Sequence, residues 1–135
     1  MSPSPFVYRK ILGPWALYAE LSAAVSTPPT PPDGARRVTD HVWLHVLDDA
    51  ATEEDVTQLE FGLRQVAAQI EGSHQSDLAV IEVNTLDYMP TDYQPEAAAA
   101  AVAEWSAREF GFPPPAVEVT FDRATGYTLT WPPSH

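Results

Sequence analysis

The sequence has no cysteine, no long hydrophobic run and only one lysine among its 135 residues. The absence of cysteine excludes disulfide bonds, thiolate zinc sites and cysteine nucleophiles. No stretch approaches the roughly 18 apolar residues that a membrane span needs. The first residues, MSPSPFVYRKILG, also lack a long apolar run behind a basic start. We therefore expect a cytoplasmic protein that makes no membrane contact.

Basic residues are scarce in general. Seven Lys and Arg stand against nineteen Asp and Glu, which gives a formal net charge of −12. Such a field repels phosphate backbones, so we expect no direct contact with nucleic acid, whereas a basic protein surface would be attracted. The single lysine, Lys10, together with abundant Ala and Pro, indicates the coding bias of a high-GC bacterium, which concerns origin and not function.

Motifs of catalysis and of cofactor binding are also missing. No serine occurs in a nucleophile-elbow sequence, and no glycine-rich phosphate loop is present. His41 and His45 would lie about 13 Å apart on one strand face, too far to share a metal ion unless a second element supplied ligands. The acids from Asp48 to Asp55 lack the alternating spacing and central glycine of a calcium loop. We expect no catalytic residue, cofactor or metal, and the question of an enzyme stays open.

Two strands are predicted at the start of the chain, over residues 6–12 and 15–25. The second stretch has helix-forming composition, yet its apolar residues fall at every second position. A helix would scatter these residues around its circumference, whereas a strand puts them on one face. We therefore give the two-residue period more weight than the helix propensity and predict a strand. A two-residue turn at Gly13 and Pro14 would then place both apolar sets on one side. The predicted register pairs Phe6 with Leu21, Tyr8 with Ala19, and Lys10 with Leu17.

The next part of the chain alternates strands with two helices. A Pro-rich exposed loop over residues 26–40 precedes a third strand at 42–46. Thr52 and Asp55 have capping-box spacing at the start of a first helix, which Gly72 should end. Residues 78–86 predict a buried strand. Pro95 at the first position opens a second helix, and a left-handed Gly111 should end it.

The chain finishes in a predicted hairpin. A three-residue loop at 124–126, with Gly126 left-handed, keeps the apolar faces together and pairs Phe121 with Leu129 and Val119 with Trp131.

The resulting order, βββαβαββ, predicts a single α+β domain over residues 1–135. We expect a two-layer sandwich, in which a mixed, mostly antiparallel sheet carries two helices on one face. The predicted core consists of Leu44, Leu59, Leu63, Val66, Ile70, Ile81, Val83, Val102 and Trp105.

The order of three strands, a helix, a strand and a helix resembles domain IV of translation elongation factor G and its relatives. The likeness covers roughly residues 38–112, where the strand VIEVNTLDY continues through a loop into the helix PEAAAAAVAEWSAREF. It implies a two-layer fold with a left-handed βαβ crossover. In that family the tip loops of the domain reach into the ribosome, but the acidic composition here departs from what RNA contact needs. The resemblance therefore implies a fold and no function.

The binding surface that we predict is acidic and aromatic. Acids surround the start of the first helix, and a tyrosine-containing loop over residues 87–94 follows the fourth strand. Tyrosines among acids are typical of protein-binding surfaces. The same pattern would arise from tyrosines that fold back over the sheet edge and from acids that only stabilise a helix start. The predicted partner-binding residues are Asp48, Asp49, Glu53, Glu54, Tyr88, Asp92 and Tyr93.

Two functions of different classes are compatible with these features. The first is a non-enzymatic acidic binding domain, such as an inhibitor, an immunity-type protein or an accessory factor, which captures a basic protein. The alternative is a small-molecule-binding domain or an enzyme that uses a groove between His41, His45 and the 87–94 loop. Salt-sensitive association with a basic protein would favour the first, and a large apolar pocket with convergent polar groups would favour the second.

Overall fold

In a computed structural model of the protein, the described residues are 3–73, 77–88 and 94–132. The predicted order of strands and helices is confirmed within these ranges, with one two-residue strand added as β3. The elements are β1 Ser4–Ile11, β2 Ala16–Ser26, β3 Arg36–Arg37, β4 Val42–Val46, α1 Glu53–Ser73, β5 Ala79–Asp87, α2 Glu96–Phe110, β6 Glu118–Asp122 and β7 Gly126–Thr130.

Five strands form one mixed sheet in the order β1-β2-β5-β4-β3. The pairs β1–β2, β2–β5 and β3–β4 are antiparallel, and the pair β4–β5 is parallel. The parallel pair is joined through α1, because a parallel connection must return the chain to the same end of the sheet. β6 and β7 form a separate two-stranded sheet. The predicted α+β class is therefore confirmed, with the terminal hairpin outside the main sheet.

The first two strands pair as the alternation predicted. Phe6 lies opposite Leu21, Tyr8 opposite Ala19, and Lys10 opposite Leu17. Tyr8, Leu17, Ala19 and Leu21 are buried, so one face of the pair packs into the core. The alternation of apolar residues therefore outweighs the helix-forming composition of residues 15–25.

Both helices pack on the core face of the five-stranded sheet and against each other. α2 contacts β1 and β2, while α1 contacts β4 and α2. Neither helix, within the described ranges, is long and apolar enough to cross a membrane. Every residue of the predicted core is buried, namely Leu44, Leu59, Leu63, Val66, Ile70, Ile81, Val83, Val102 and Trp105.

The helix ends agree with most of the predicted signals. Thr52 N donates to Asp55 Oδ2 at 2.9 Å, and Asp55 N donates to Thr52 Oγ1 at 3.1 Å, which completes the capping box. Gly111 ends α2 with φ of 76°, in the left-handed region. Two positions differ from the prediction: Pro95 is the N-cap of α2 and not its first helical residue, and Gly72 lies inside α1, which continues to Ser73.

The register of the terminal hairpin was predicted wrongly. Phe121 lies opposite Tyr127 and Val119 lies opposite Leu129, so the three-residue loop is 123–125 and not 124–126. Gly126 is left-handed as predicted, with φ of 82°. Asp122 Oδ1 accepts a hydrogen bond from Ala124 N at 2.7 Å, which closes the turn one residue earlier than we expected.

The Pro-rich segment after β2 is mostly exposed over residues 27–35. A Cβ atom built on Gly34 would lie 3.9 Å from His45 Nε2, so this part of the segment passes close to His45. Residues 36–37 pair with β4 as β3, and Val38 is buried in the core. The segment therefore joins the sheet at residues 36–37 and reaches the core at Val38, although Arg37 and Asp40 remain exposed.

Candidate binding site

One edge of the main sheet brings together the starts of both helices. β4 and β5 run parallel, so their carboxyl ends meet at the same edge. α1 follows β4 and α2 follows β5, and each helix returns across the sheet from this edge. Loops held by such a scaffold are common places for binding residues. The predicted acids at the start of α1 belong to this edge.

Asp48 has a structural role at this edge. Its Oδ2 accepts a hydrogen bond from Leu86 N at 2.9 Å, and its Oδ1 accepts one from Ala50 N at 3.0 Å. The carboxylate therefore ties the loop after β4 to the end of β5. The next residue, Asp49, is exposed, so its charge reaches solvent directly.

Glu53 and Glu54 are both exposed in the first turn of α1. Glu53 forms an ion pair with Arg36 of β3, which partly neutralises its charge. The Glu53 side chain is 74% exposed, so this pair contributes little to stability. Glu54 therefore presents its charge without this neutralisation.

Tyr88 is tied to the protein through Asp55. Asp55 is only 4% exposed, and its Oδ1 accepts a hydrogen bond from the Tyr88 hydroxyl at 2.9 Å. Because Asp55 also caps α1, this bond joins the residue after β5 to the start of the helix. The contact matches the alternative in which a loop tyrosine folds back onto the protein. The ring of Tyr88 is partly buried against the core.

The other two predicted residues, Asp92 and Tyr93, lie outside the described residues. Their assignment as partner-binding residues stays a prediction. Asp49 and Glu54 are described and are exposed, and their assignment as partner-binding residues also stays a prediction.

A cleft of about 480 Å³ opens between α1, the start of α2 and the β6–β7 hairpin. Its volume lies within the usual range of small-ligand sites, about 300 to 1,000 Å³. Among the described residues that line it, Glu96 is the only charged one. The lining residues are Phe61, Tyr127, Leu129 and Trp131, together with Thr57, Gln58, Glu96, Thr125 and Thr128.

Phe61 and Trp131 form an aromatic wall of the cleft. Their ring centroids lie 5.6 Å apart with an interplanar angle of 77°, an edge-to-face arrangement. Phe61 is 42% exposed, so part of its ring remains free for contact. Thr57 and Gln58 lie one helical turn before Phe61, and Glu54 lies one turn before them. One side of α1 therefore leads from an exposed acid to the aromatic wall.

The hairpin side of the cleft is held in place by Gln94 and Tyr127. Gln94 Nε2 donates to Tyr127 O at 2.6 Å, and Tyr127 N donates to Gln94 Oε1 at 3.2 Å. The Tyr127 hydroxyl donates to Trp15 O at 2.6 Å and accepts from Leu12 N at 2.9 Å. β7 is therefore fixed both to the start of α2 and to the β1–β2 turn.

His41 and His45 do not line this cleft. His41 is exposed directly before β4, and its Nδ1 lies 2.9 Å from Asp77 O. His45 lies beside Glu82 on the sheet face without helices, and its Nδ1 is buried with no hydrogen-bond partner among the described residues. Within the described ranges, no three His, Cys, Asp or Glu side chains converge in a way that could hold a metal ion. The cleft is therefore separate from the groove that we predicted beside these histidines.

Two ionisable groups between α2 and β1 have raised pKa values. Burial, and secondly the charge of Glu104, raise the pKa of Tyr8 to about 12. Burial also raises the pKa of the Glu104 carboxyl, and the Lys10 ammonium partly offsets that effect. None of these three residues lines the cleft. The shifts therefore bear on stability and not on the candidate site.

Phe61 and Trp131 are not among the binding residues predicted from the sequence. Phe61 falls outside the apolar stripe of α1, whose buried leucines include Leu59 and Leu63. A large aromatic residue on the polar side of an amphipathic helix was therefore a readable signal of a surface contact. The role of Trp131 depends on where the hairpin packs, which the strand pattern does not encode.

Together the fold and the site define an acidic α+β domain with an aromatic-walled cleft at the edge where its parallel strands end. Comparison of the chain with protein-family models, with curated proteins and with solved structures finds no match.

Proposed function

We propose that this protein is a non-enzymatic acidic binding domain that captures a basic protein partner in the cytoplasm, as an inhibitor, an immunity-type protein or an accessory factor. The observation that carries the proposal is the cluster of exposed acids at the start of α1, beside the cleft and in a chain of net charge −12. Charges at the rim of a binding surface accelerate the approach of an oppositely charged protein. The same field opposes nucleic acid as a direct partner.

The predicted residues would contribute in different ways. Asp49 and Glu54 are exposed and would steer the partner at long range. Glu53 would contribute less, because its ion pair with β3 already offsets its charge. Asp48 and Tyr88 would shape the surface through their hydrogen bonds within the protein. Long-range steering acts mainly on the association rate, so the first group should govern the speed of binding.

Asp92 and Tyr93 complete the proposed surface as anchors of the partner. A tyrosine anchor that becomes buried on binding slows dissociation, since its ring must be exposed to water again on release.

We also propose a relationship to domain IV of elongation factor G at the level of fold alone. Two features support it: the parallel β4–β5 pair is joined through α1, and α2 follows β5 directly in chain order. The ribosomal contact of that family is not part of the proposal, because the net charge of −12 opposes an RNA surface.

The cleft favours a second candidate, a domain that binds a small molecule. Its volume of about 480 Å³ and its aromatic wall suit a ligand with an apolar body. Its threonine hydroxyls and Glu96 would orient polar groups of that ligand. This candidate keeps the ligand class of our alternative prediction but moves the site away from His41 and His45.

The test compares association rates with a basic partner that has been captured at low salt, identified and purified. The variant Asp49→Asn/Glu53→Gln/Glu54→Gln removes three exposed charges and leaves Asp48 to hold the loop. We expect unchanged folding, association slowed about tenfold or more at low salt, and a weaker dependence of the rate on salt. Stopped-flow mixing at a series of ionic strengths measures both quantities.

A matched control removes the same charge from the opposite end of the helices. Glu71 and Glu109 lie near the ends of α1 and α2, and Asp77 precedes β5. The variant Glu71→Gln/Asp77→Asn/Glu109→Gln should associate at nearly the wild-type rate. Equal losses in both variants would show that only net charge matters. No loss in either would show that the acids merely solvate a surface.

A further inference from the structure

We infer that the cleft between α1, α2 and the hairpin receives one arginine side chain of the basic partner. The inference rests on the proposed function and names the contact that would give it specificity. The cleft lies beside the exposed acids: Glu54 is one helical turn from Thr57 and Gln58, which line it. A partner that is steered to these acids would therefore arrive at the mouth of the cleft.

The charge of the cleft selects a cation. Glu96 lines it, and none of the described lining residues is Lys or Arg. The start of α2 carries a partial positive charge that would favour an anion, but Glu96 in the first turn offsets it. The net charge of −12 further opposes an anionic ligand. A positively charged group is therefore the complementary occupant.

The aromatic wall selects a planar cation over a compact one. The Phe61 and Trp131 rings meet edge to face, and Phe61 is 42% exposed, so an aromatic surface remains open to the cleft. A guanidinium group stacks on such a surface more readily than an ammonium group, because it is flat and less strongly hydrated. An arginine could place its apolar stem along Leu129 and its head against the rings.

The remaining lining groups can satisfy the donors of a guanidinium. Arginine presents five N–H donors and no acceptor, so its site must offer several oxygens. Several of the lining residues carry such oxygens, namely the carboxylate of Glu96, the hydroxyls of Thr57, Thr125 and Thr128, and the amide of Gln58. Because Gln94 and Tyr127 already fix the hairpin wall to α2, less ordering is needed when the ligand enters.

The test uses three short capped peptides, acetyl-Gly-X-Gly-amide, in which X is arginine, lysine or citrulline. Citrulline has nearly the shape of arginine without its charge. Each peptide is titrated into the whole protein at constant ionic strength while backbone amide and tryptophan indole signals are followed by NMR. We expect saturable shifts centred on Thr128 and Trp131, with a dissociation constant on the order of 1 mM for the arginine peptide. Lysine should bind several-fold more weakly, and citrulline should not saturate.

Two variants connect this binding to the cleft. Glu96→Gln removes the charge and keeps the shape, and should weaken the arginine peptide by about tenfold or more, the usual effect of losing a charge-assisted contact. Phe61→Ala should reduce the preference for arginine over lysine. Glu71→Gln removes an equal charge in the last turn of α1 and should bind as the wild type does. Amide spectra recorded without peptide check that each variant is folded. If Phe61→Ala does not fold, Glu96→Gln alone still tests the inference.

Several outcomes would overturn the inference. Equal binding of the arginine and citrulline peptides would mean that the cleft takes neutral ligands, as the small-molecule candidate requires. Equal affinity of wild type and Glu96→Gln, or weak shifts spread over all acidic surfaces, would mean non-specific attraction of charge. These failures are distinguishable from failure of the proposed function, which is measured by the association rate of the triple acid variant. The exposed acids can accelerate association with the partner even if the cleft binds no arginine. The cleft can also bind the arginine peptide even if the acids do not affect the association rate.

Discussion

The backbone of α1 at Gly62 lies against the backbone of α2 at Ala99. A Cβ atom built on Gly62 would lie 2.8 Å from Ala99 Cα and closer still to its carbonyl oxygen. The alanine-rich side of α2 allows this approach, because larger side chains would hold the helices apart. The alanines buried along α2 are Ala97, Ala98, Ala99, Ala100, Ala101, Ala103 and Ala107.

Gly62→Ala should therefore destabilise the protein even though alanine is the better helix former. The helix propensity alone would favour alanine by about 1 kcal/mol. The added methyl group would collide with backbone, which cannot rotate away, so we expect a net loss on the order of 2 kcal/mol. Urea denaturation followed by circular dichroism measures the change.

Gly72→Ala is the matched control within the same helix. A Cβ atom on Gly72 would meet no atom of the described part of the chain within 4 Å, and its φ is not positive. We expect this variant to be neutral or more stable by up to about 1 kcal/mol. Equal effects of the two substitutions would show that the helices do not approach closely at Gly62.

The sequence predicts the strand register where local alternation determines it, and not where tertiary packing determines it. The register of β1 and β2 followed from alternation and a two-residue turn, which together leave one solution. In the hairpin, loops at 123–125 and 124–126 both keep Phe121 and Val119 on the same face as Leu129, because a shift of two residues preserves the faces. Gln94 holds Tyr127 in the observed position, and this tertiary contact has no local signal.

The candidate site was predicted in part for the same reason. The acids at the start of α1 and the capping pair Thr52 and Asp55 are visible as local spacing. The cleft arises because a hairpin more than 50 positions further along the chain packs beside Phe61. No spacing rule connects residues at that separation, so the contact between Phe61 and Trp131 required the structure.

Leu63→Ala should destabilise the protein by about 2 to 5 kcal/mol, the usual cost of a large-to-small change in a core. Leu63 has no exposed surface and belongs to the hydrophobic core. Leu47→Ala is the control, because Leu47 is 44% exposed and should cost less than about 1 kcal/mol. A loss below about 1 kcal/mol for Leu63→Ala would contradict the assignment of this face of α1 to the core.

Tyr8 should make stability depend on pH in the alkaline range. Burial and the charge of Glu104 raise its pKa from 10.0 to about 12, so the folded state holds the proton more tightly than the unfolded state. The resulting stability is complete below pH 10 and is lost as pH rises through 12. The loss attributable to Tyr8 should be on the order of 1 to 2 kcal/mol, less than the full pKa difference implies, because solvent partly screens the hydroxyl. Urea titrations at several pH values between 10 and 12 give the free energy of unfolding of wild type and of Tyr8→Phe. We expect this free energy to fall more steeply with pH in the wild type.

Glu104→Gln separates the two causes of that shift. Because burial is the larger cause, the alkaline loss of stability should shrink but persist in this variant. Parallel pH curves for wild type and Tyr8→Phe would contradict the prediction. Complete loss of the effect in Glu104→Gln would show that the Glu104 charge, and not burial, controls Tyr8.

Tyr88→Phe should reveal whether this tyrosine serves the fold or the partner. Its hydroxyl donates to the buried Asp55, and weakening the contacts of a buried carboxylate costs on the order of 1 to 2 kcal/mol. Tyr18→Phe is the control, because the Tyr18 hydroxyl donates a longer bond of 3.3 Å to Glu20, which is partly exposed, and its loss should cost less than about 0.5 kcal/mol. Urea denaturation gives the stability, and stopped-flow gives the dissociation rate of the captured partner. A stable Tyr88→Phe variant that releases the partner faster would assign Tyr88 to binding, whereas a destabilised variant with unchanged release would assign it to the fold.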